Sequence, residues 1–159
     1  MQVANSAQQF GTETVRVRLF NIYGPGEFYS PYRSAICLFA YRALVGEPYK
    51  VYTDHHRTSL FINDAVRTLA NICERFKPGA VYNIGGAEYH DMRAISDMIL
   101  HYLGCGDDKV DYVASEPMTT KDKRVDIARA TQDLGHEATV VLADGVPQTI
   151  EWMKQTYGS

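Results

Sequence analysis

Residues 18–27, "RLFNIYGPGE", begin as an extended strand and end in a Gly-Pro-Gly turn, with Asn21 and Tyr23 set where one becomes the other. Just upstream, Val15, Val17 and Leu19 alternate with other residues at the period of a strand buried on one face. A strand is therefore expected over about 14–20, preceded by a short helix in the first ten residues that Gly11 closes. In an open α/β sheet, ligands bind beyond the carboxyl ends of the strands, where the chain leaves the sheet. A carboxamide placed there can donate to phosphate or sugar oxygens and accept from sugar hydroxyls.

The same unit recurs along the chain. "SAICLFAYRALVG" spaces Ala35, Leu38, Phe39, Arg42 and Val45 for a helix ending at Gly46, and "PYKVY" is a short β segment followed by a polar connection over 54–59. "FINDAVRTLANICERF" is a helix with Ala65, Leu69, Ile72, Cys73 and Phe76 on one side, entered through Asn63 or Asp64 as cap. "AVYNIGG" is again a strand running into glycine, and "DMRAISDMILHYLG" a helix with Ile95, Met98, Ile99, Tyr102 and Leu103 as its stripe. "KVDYVA" reads as an edge strand, "DIARATQDLG" as a short helix and "ADGVPQTIEWMKQTYG" as a final helix with Pro147 near its start. Alternating strands and helices predict a layered α/β fold with at least one parallel pair.

With 159 residues the chain is one domain, 1–159, long enough to bury a core without staples. A formal charge of -3 argues against a nucleic-acid binder that relies on general phosphate attraction, so any anion site must be local. Cys37, Cys73 and Cys105 are far apart and odd in number, which reads as three reduced thiols. No apolar run approaches the roughly 20 residues of a membrane span, and the N-terminal stretch has no leader core. The expected location is the cytoplasm, with no membrane partner.

Three constellations carry possible chemistry. Asn21 and Asn83 stand at two strand ends, each followed closely by glycine that allows close backbone approach; turn capping is the plainer role for either one. Arg33, Arg57 and the run Lys121, Lys123, Arg124 supply cations, and a guanidinium fork matches a phosphate, although a single surface arginine more often serves a solvated face. Tyr23, Phe28, Tyr29, Tyr32, Tyr49 and Tyr52 crowd the stretch before Arg57, suited to stacking on a flat base or to a protein interface. Asp54, His55 and His56 do not make a zinc site, because adjacent histidines on an extended stretch point to opposite faces. There is no glycine elbow for a serine nucleophile and no glycine-rich dinucleotide loop.

Taken in order, these motifs resemble the nucleotide-sugar epimerases and dehydratases of the extended short-chain dehydrogenase/reductase class. "VRVRLFNIYGPGE" is similar to the family's strand ending R-x-x-N-x-Y-G-P, and "ALVGEPYKVYTDHHRTSLFINDAVRTLANI" to its G-x-P-x-x-V-Y, arginine, aromatic and aspartate-alanine run. "VYNIGG" resembles its asparagine-glycine strand end, and "KRVDIARATQDLGHEATVVLADGVPQTIEWM" its C-terminal signature. The resemblance implies a partial Rossmann-type fold, the C-terminal substrate-binding portion, with a few strands and about five to six helices. Residues 1–30 would be a remnant of the Rossmann sheet and 31–159 the substrate-binding region.

The resemblance also implies a nucleoside-diphosphate-sugar site. Asn21 matches a contact to the diphosphate or sugar, Arg57 and Arg124 the diphosphate arginines, Tyr52 a position beside the base and Asn83 one near the nucleotide. Arg33 falls in the substrate-contact loop, and Tyr23 near the nicotinamide end of the cofactor. The family's glycine-rich loop and its Tyr-x-x-x-Lys are not found in these residues. NAD or NADP is therefore expected in the intact parent enzyme and none on this chain alone, which carries no catalytic residue. A half-sheet exposes an edge, so a homo-oligomer through that edge is expected, and a non-catalytic remnant acting by self-association is the alternative.

Overall fold

The computed structural model describes residues 2–115 and 118–158. Along the chain these form α1 (Gln2–Phe10), β1 (Arg16–Leu19), β2 (Ile22–Tyr23), α2 (Ala35–Val45), β3 (Tyr49–Tyr52), β4 (His56–Thr58), β5 (Leu60–Phe61) and α3 (Ile62–Arg75). They continue with β6 (Val81–Ile84), β7 (Tyr89–Asp91), α4 (Met92–Leu103), β8 (Val110–Val113), β9 (Asp122–Lys123), α5 (Ala128–Leu134) and α6 (Leu142–Tyr157).

The expected parallel pairing is present in β1 with β6, β2 with β5, β3 with β8 and β4 with β9. The stretch 54–59, read from sequence as a polar connection, instead contributes β4, which lies between antiparallel β7 and parallel β9. Its residues are polar because both of its partners are short and polar, so no apolar alternation marks it as a strand.

Two cores flank the strand junctions. The larger packs α2, α4 and α6 around β3, with Ile36, Phe39, Tyr49, Ile95, Ile99 and Ile150 among its buried members. The smaller joins β6, α3 and α5 through Tyr82, Ile84, Ala65, Ala130 and Leu134. Strand β5 ties them together, because successive side chains alternate sides: Leu60 enters the smaller core and Phe61 the larger.

Helix α2 is entered through Ser34, whose hydroxyl oxygen accepts from the Cys37 amide at 3.2 Å while donating to the Glu27 carboxylate at 2.8 Å. Helix α4 starts at Asp91, whose carboxylate accepts from the Ala94 amide at 2.7 Å. Helix α3 departs from expectation. Its N-terminal residue Phe61 makes no side-chain cap, Asp64 is fully buried, and the inward stripe is Asp64, Ala65 and Thr68. Leu69 and Cys73, expected inside, are exposed. Helix α1 buries no residue, Phe10 at its end is 70% exposed, and Leu19 is 50% exposed on β1, whose partner among the described residues is β6.

Candidate functional site

The two asparagines do not stand level. Asn83 lies inside the β1–β6 ladder opposite Arg18, whereas Asn21 is three residues beyond Arg18 and past the last strand residue, Leu19. At about 3.3 Å per residue the offset is about 10 Å. Asn21 takes a left-handed backbone, φ 44°, a conformation its short polar side chain tolerates better than most. Its Nδ2 donates to the Thr58 carbonyl at 2.7 Å, and its own carbonyl accepts from the Leu60 amide at 3.1 Å. Asn83 Nδ2 donates to the Asp126 carbonyl at 3.1 Å, and its buried Oδ1 has no protein partner.

The glycines after Asn83 are required by the protein's own packing. A Cβ on Gly86 would strike the Ser59 carbonyl, and one on Gly85 the Val125 side chain. These contacts draw the β4–β5 junction and the segment after β9 onto the end of β6.

Strand β4 organises the cationic residues. Register sets His56 opposite Asp91 and Asp122, Arg57 opposite His90 and Lys123, and Thr58 opposite Tyr89. Residues paired across strands share a face, so His56, Thr58, Tyr89 and Asp122 lie on one side and Arg57 on the other. On the first side, the His56 and Tyr89 rings stack at 5.4 Å, His56 Nδ1 is 3.1 Å from Asp122, and the Tyr89 hydroxyl donates to Asp122 at 2.5 Å. The Arg124 guanidinium lies 4.2 Å over the Tyr89 ring. The Tyr89 bond, ahead of the neighbouring histidine, holds the Asp122 carboxyl below the usual carboxylate range. Thr58, Gly86, Ala87, Tyr89, Arg124 and Val125 line a cavity of about 350 Å³ on this side.

On the second side, Arg57 donates to the His56 carbonyl at 2.8 Å and to the Lys121 carbonyl, with its Nη2 3.5 Å from His55 Nδ1. The His55 ring lies 5.3 Å from that of Tyr52. Tyr52, His55 and Arg57 thus form a continuous row, and Tyr52 also lines a cavity of about 430 Å³ with Leu38, Phe39, Lys50 and Asp111. Lys121 is bonded to the Asp54 carboxylate, which that bond holds below the usual range.

Arg33 stands apart from both groups. It is exposed, donates to the Phe28 carbonyl at 3.2 Å, and lines a cavity of about 310 Å³ with residues 22–27 and Ile62. The Tyr23 ring is in the larger core, edge-on to Phe61 at 5.5 Å, and its buried hydroxyl has no partner. Burial, then the nearby Glu88, Asp64 and Asp144 carboxylates, pushes that phenol well above its ordinary value. Tyr23 is also among the residues that border the Arg33 cavity. Tyr23 Oη is enclosed against Gly145 and Phe61. Among the described residues no three His, Cys, Asp or Glu groups are placed to hold a metal, and no helix is long and apolar enough to cross a membrane.

Sequence reasoning missed Tyr89 and Asp122. "YHD" carries no strand period long enough to be read, and only the β4 register reveals that Tyr89 underlies Arg124.

The chain as a whole is similar to known proteins. The chain is 30% identical over 146 residues to a dTDP-glucose 4,6-dehydratase from Streptomyces niveus, covering 91% of this chain and 43% of that protein. It is 28% identical over 154 residues to a UDP-N-acetyl-alpha-D-glucosaminuronate decarboxylase from Bacillus cytotoxicus, covering 91% and 47%. The crystal structure of a UDP-glucose 4-epimerase from Thermotoga maritima shares the fold at TM-score 0.88 and 23% identity, over 98% of this chain and 50% of that one. A UDP-glucuronic acid 4-epimerase from Bacillus cereus, solved with UDP-glucuronic acid and NAD, superposes at TM-score 0.86 and 26% identity, over 98% and 49%. The chain therefore spans about half the length of the relatives it matches. The family model described as the NAD dependent epimerase/dehydratase family matches residues 1–85, and the chain belongs to that family.

Proposed function

We propose that this chain is the C-terminal, nucleoside-diphosphate-sugar-binding portion of an NAD(P)-dependent sugar epimerase or dehydratase, and that alone it performs no redox chemistry. The observation that carries the reading is that Asn21, Arg57 and Arg124 each adjoin Thr58 at one strand junction. Asn21 binds the Thr58 carbonyl, Arg57 precedes Thr58, and Arg124 shares a cavity with Thr58. Arg57 and Arg124 lie on opposite faces of a narrow sheet, so a diphosphate laid across its end, beyond Thr58, meets both. Two guanidinium forks neutralise such an anion without a basic net charge. Tyr52, in line with Arg57 through His55, then lies on the base side, while Asn83 and Arg33 serve the nucleotide and the sugar. The names of the relatives, which act on dTDP- and UDP-sugars, support this substrate class. Holding a sugar still is this portion's share of catalysis.

Calorimetric titration of the chain with UDP-, GDP- and dTDP-sugars tests the reading. Binding of at least one, weakened about ten-fold by Arg57→Ala and by Arg124→Ala, is expected for the loss of a charge-assisted contact. No binding to any of them, or wild-type affinity in both variants, overturns it.

A second reading, self-association through the β1 edge, is favoured by the exposure of Leu19 on a strand that, among the described residues, pairs only with β6. Sedimentation across a concentration series decides it, and a monomer throughout rejects it. The unpaired Cys37, Cys73 and Cys105 support a reducing compartment, the cytoplasm.

A further inference from the structure

We propose that Tyr89 is a positioning residue of the diphosphate site, fixing the Arg124 guanidinium over the cavity of about 350 Å³ that both residues line. The proposal rests on the reading that Arg124 holds a diphosphate.

Arg124 is exposed and follows directly on β9, a strand of two residues that, among the described residues, pairs only with β4. An arginine on so short a strand has many rotamers to lose when it closes on an anion. Tyr89 restrains it from two directions. Its hydroxyl donates to Asp122 at 2.5 Å, two residues before Arg124, and its ring lies 4.2 Å beneath the guanidinium. His56 completes the clamp, stacking on Tyr89 at 5.4 Å and standing 3.1 Å from Asp122. Tyr89 is itself anchored, because β7 pairs with β4 and leads at once into α4 through the Asp91 cap.

The geometry matters for chemistry as well as order. A cation resting face-on upon a ring keeps its N–H groups in the guanidinium plane, pointing outward. Stacking on Tyr89 therefore orients Arg124 while engaging it at most through the one tyrosine hydroxyl, so most of its five donors stay available to a phosphate. An acidic partner would have oriented it by occupying those donors.

Titration of the chain with UDP, dTDP and GDP reads the effect, with thermal unfolding as the check on fold. Tyr89→Leu is expected to weaken binding roughly five- to ten-fold, and Tyr89→Phe, which keeps the ring and loses the bond to Asp122, by less. In an Arg124→Ala background, Tyr89→Leu should add nothing, since both changes remove the same interaction. A purely structural tyrosine would instead give effects that multiply. If wild-type chain binds and Arg124→Ala weakens it while folded Tyr89→Leu binds normally, the role of Tyr89 is overturned and the diphosphate reading stands. Should the leucine variant unfold, Tyr89→Phe and Asp122→Asn decide: equal, non-additive weakening supports the clamp and wild-type affinity in both overturns it. Failure of the wild-type chain to bind any of the three nucleotides removes the diphosphate reading and the clamp with it.

Discussion

Asn21 Nδ2 donates to the Thr58 carbonyl oxygen at 2.7 Å, joining the chain just past β1 to the end of β4, with β2, α2 and β3 between them in sequence. The side chain proposed to touch ligand is thus also a latch of the scaffold. Asn21→Ala loses the bond and places an ordinary side chain at φ 44°, for an expected cost of about 2 kcal/mol. Asn21→Gly accepts that backbone without strain and should cost roughly half as much. Urea unfolding measures both, and equal losses would show that the backbone conformation contributes nothing.

Tyr23 and Gly145 meet with no room between them. The Tyr23 hydroxyl is buried without a partner, and a Cβ on Gly145 would collide with it and lie 2.9 Å from the Phe61 ring. Gly145→Ala is expected to destabilise by about 1 to 3 kcal/mol through overpacking. Tyr23→Phe removes an unsatisfied polar atom and should be neutral or stabilising by up to about 1 kcal/mol, and it should relieve part of the Gly145→Ala cost. Melting curves of the two single variants and the double variant test the coupling; simple additivity would contradict it.

Much of the fold was legible because it is locally written. Val15, Val17 and Leu19 carry a strand period, and α2, α4 and α6 carry helical spacing between recognisable stops. The parts that escaped are set by partners distant in sequence. His56, Arg57 and Thr58 look like loop until β7 and β9 supply their hydrogen bonds. The inner face of α3 was misread because Asp64 and Thr68 are polar, and partners distant in sequence, Thr139, Val140 and His136, help make their burial tolerable. For the site, residue types were readable and sides were not. That Asn83 sits about 10 Å short of Asn21, and Arg57 opposite in face to Arg124, follows from register, which no short window contains.

The three thiols should separate cleanly by reactivity. Cys37 is fully buried, its Sγ donating to the Glu27 carbonyl at 3.4 Å, and burial followed by the Glu27 carboxylate pushes its pKa up to about 12. Cys73 and Cys105 are exposed. A disulfide exchange reagent at neutral pH should label those two within minutes and reach Cys37 only on unfolding. Rapid labelling of all three would mean that α2 opens in the native state.

Asp64 joins α3 to the segment leading into α6, and that joint should be sensitive to acid. Its fully buried carboxylate accepts from Arg67 Nη2 at 2.7 Å, the Thr139 amide and hydroxyl at 2.8 Å each, and the Val140 amide at 2.9 Å. Burial alone would raise its pKa, yet the Val140 and Thr139 bonds with the Arg67 charge outweigh burial and hold it below the usual range. A lowered folded value means that the unfolded chain binds the proton first, so stability from this group is complete above the unfolded carboxyl pKa of about 3.9 and is lost as pH falls through the folded value. Asp64→Asn removes the charge and turns an amide toward two backbone donors, for an expected loss of about 2 to 4 kcal/mol at neutral pH. Urea unfolding of both proteins between neutral and strongly acidic pH should show the gap constant above pH about 5 and closing below pH about 4. A gap that stays constant into acid would show that the carboxylate charge does not hold the two segments together.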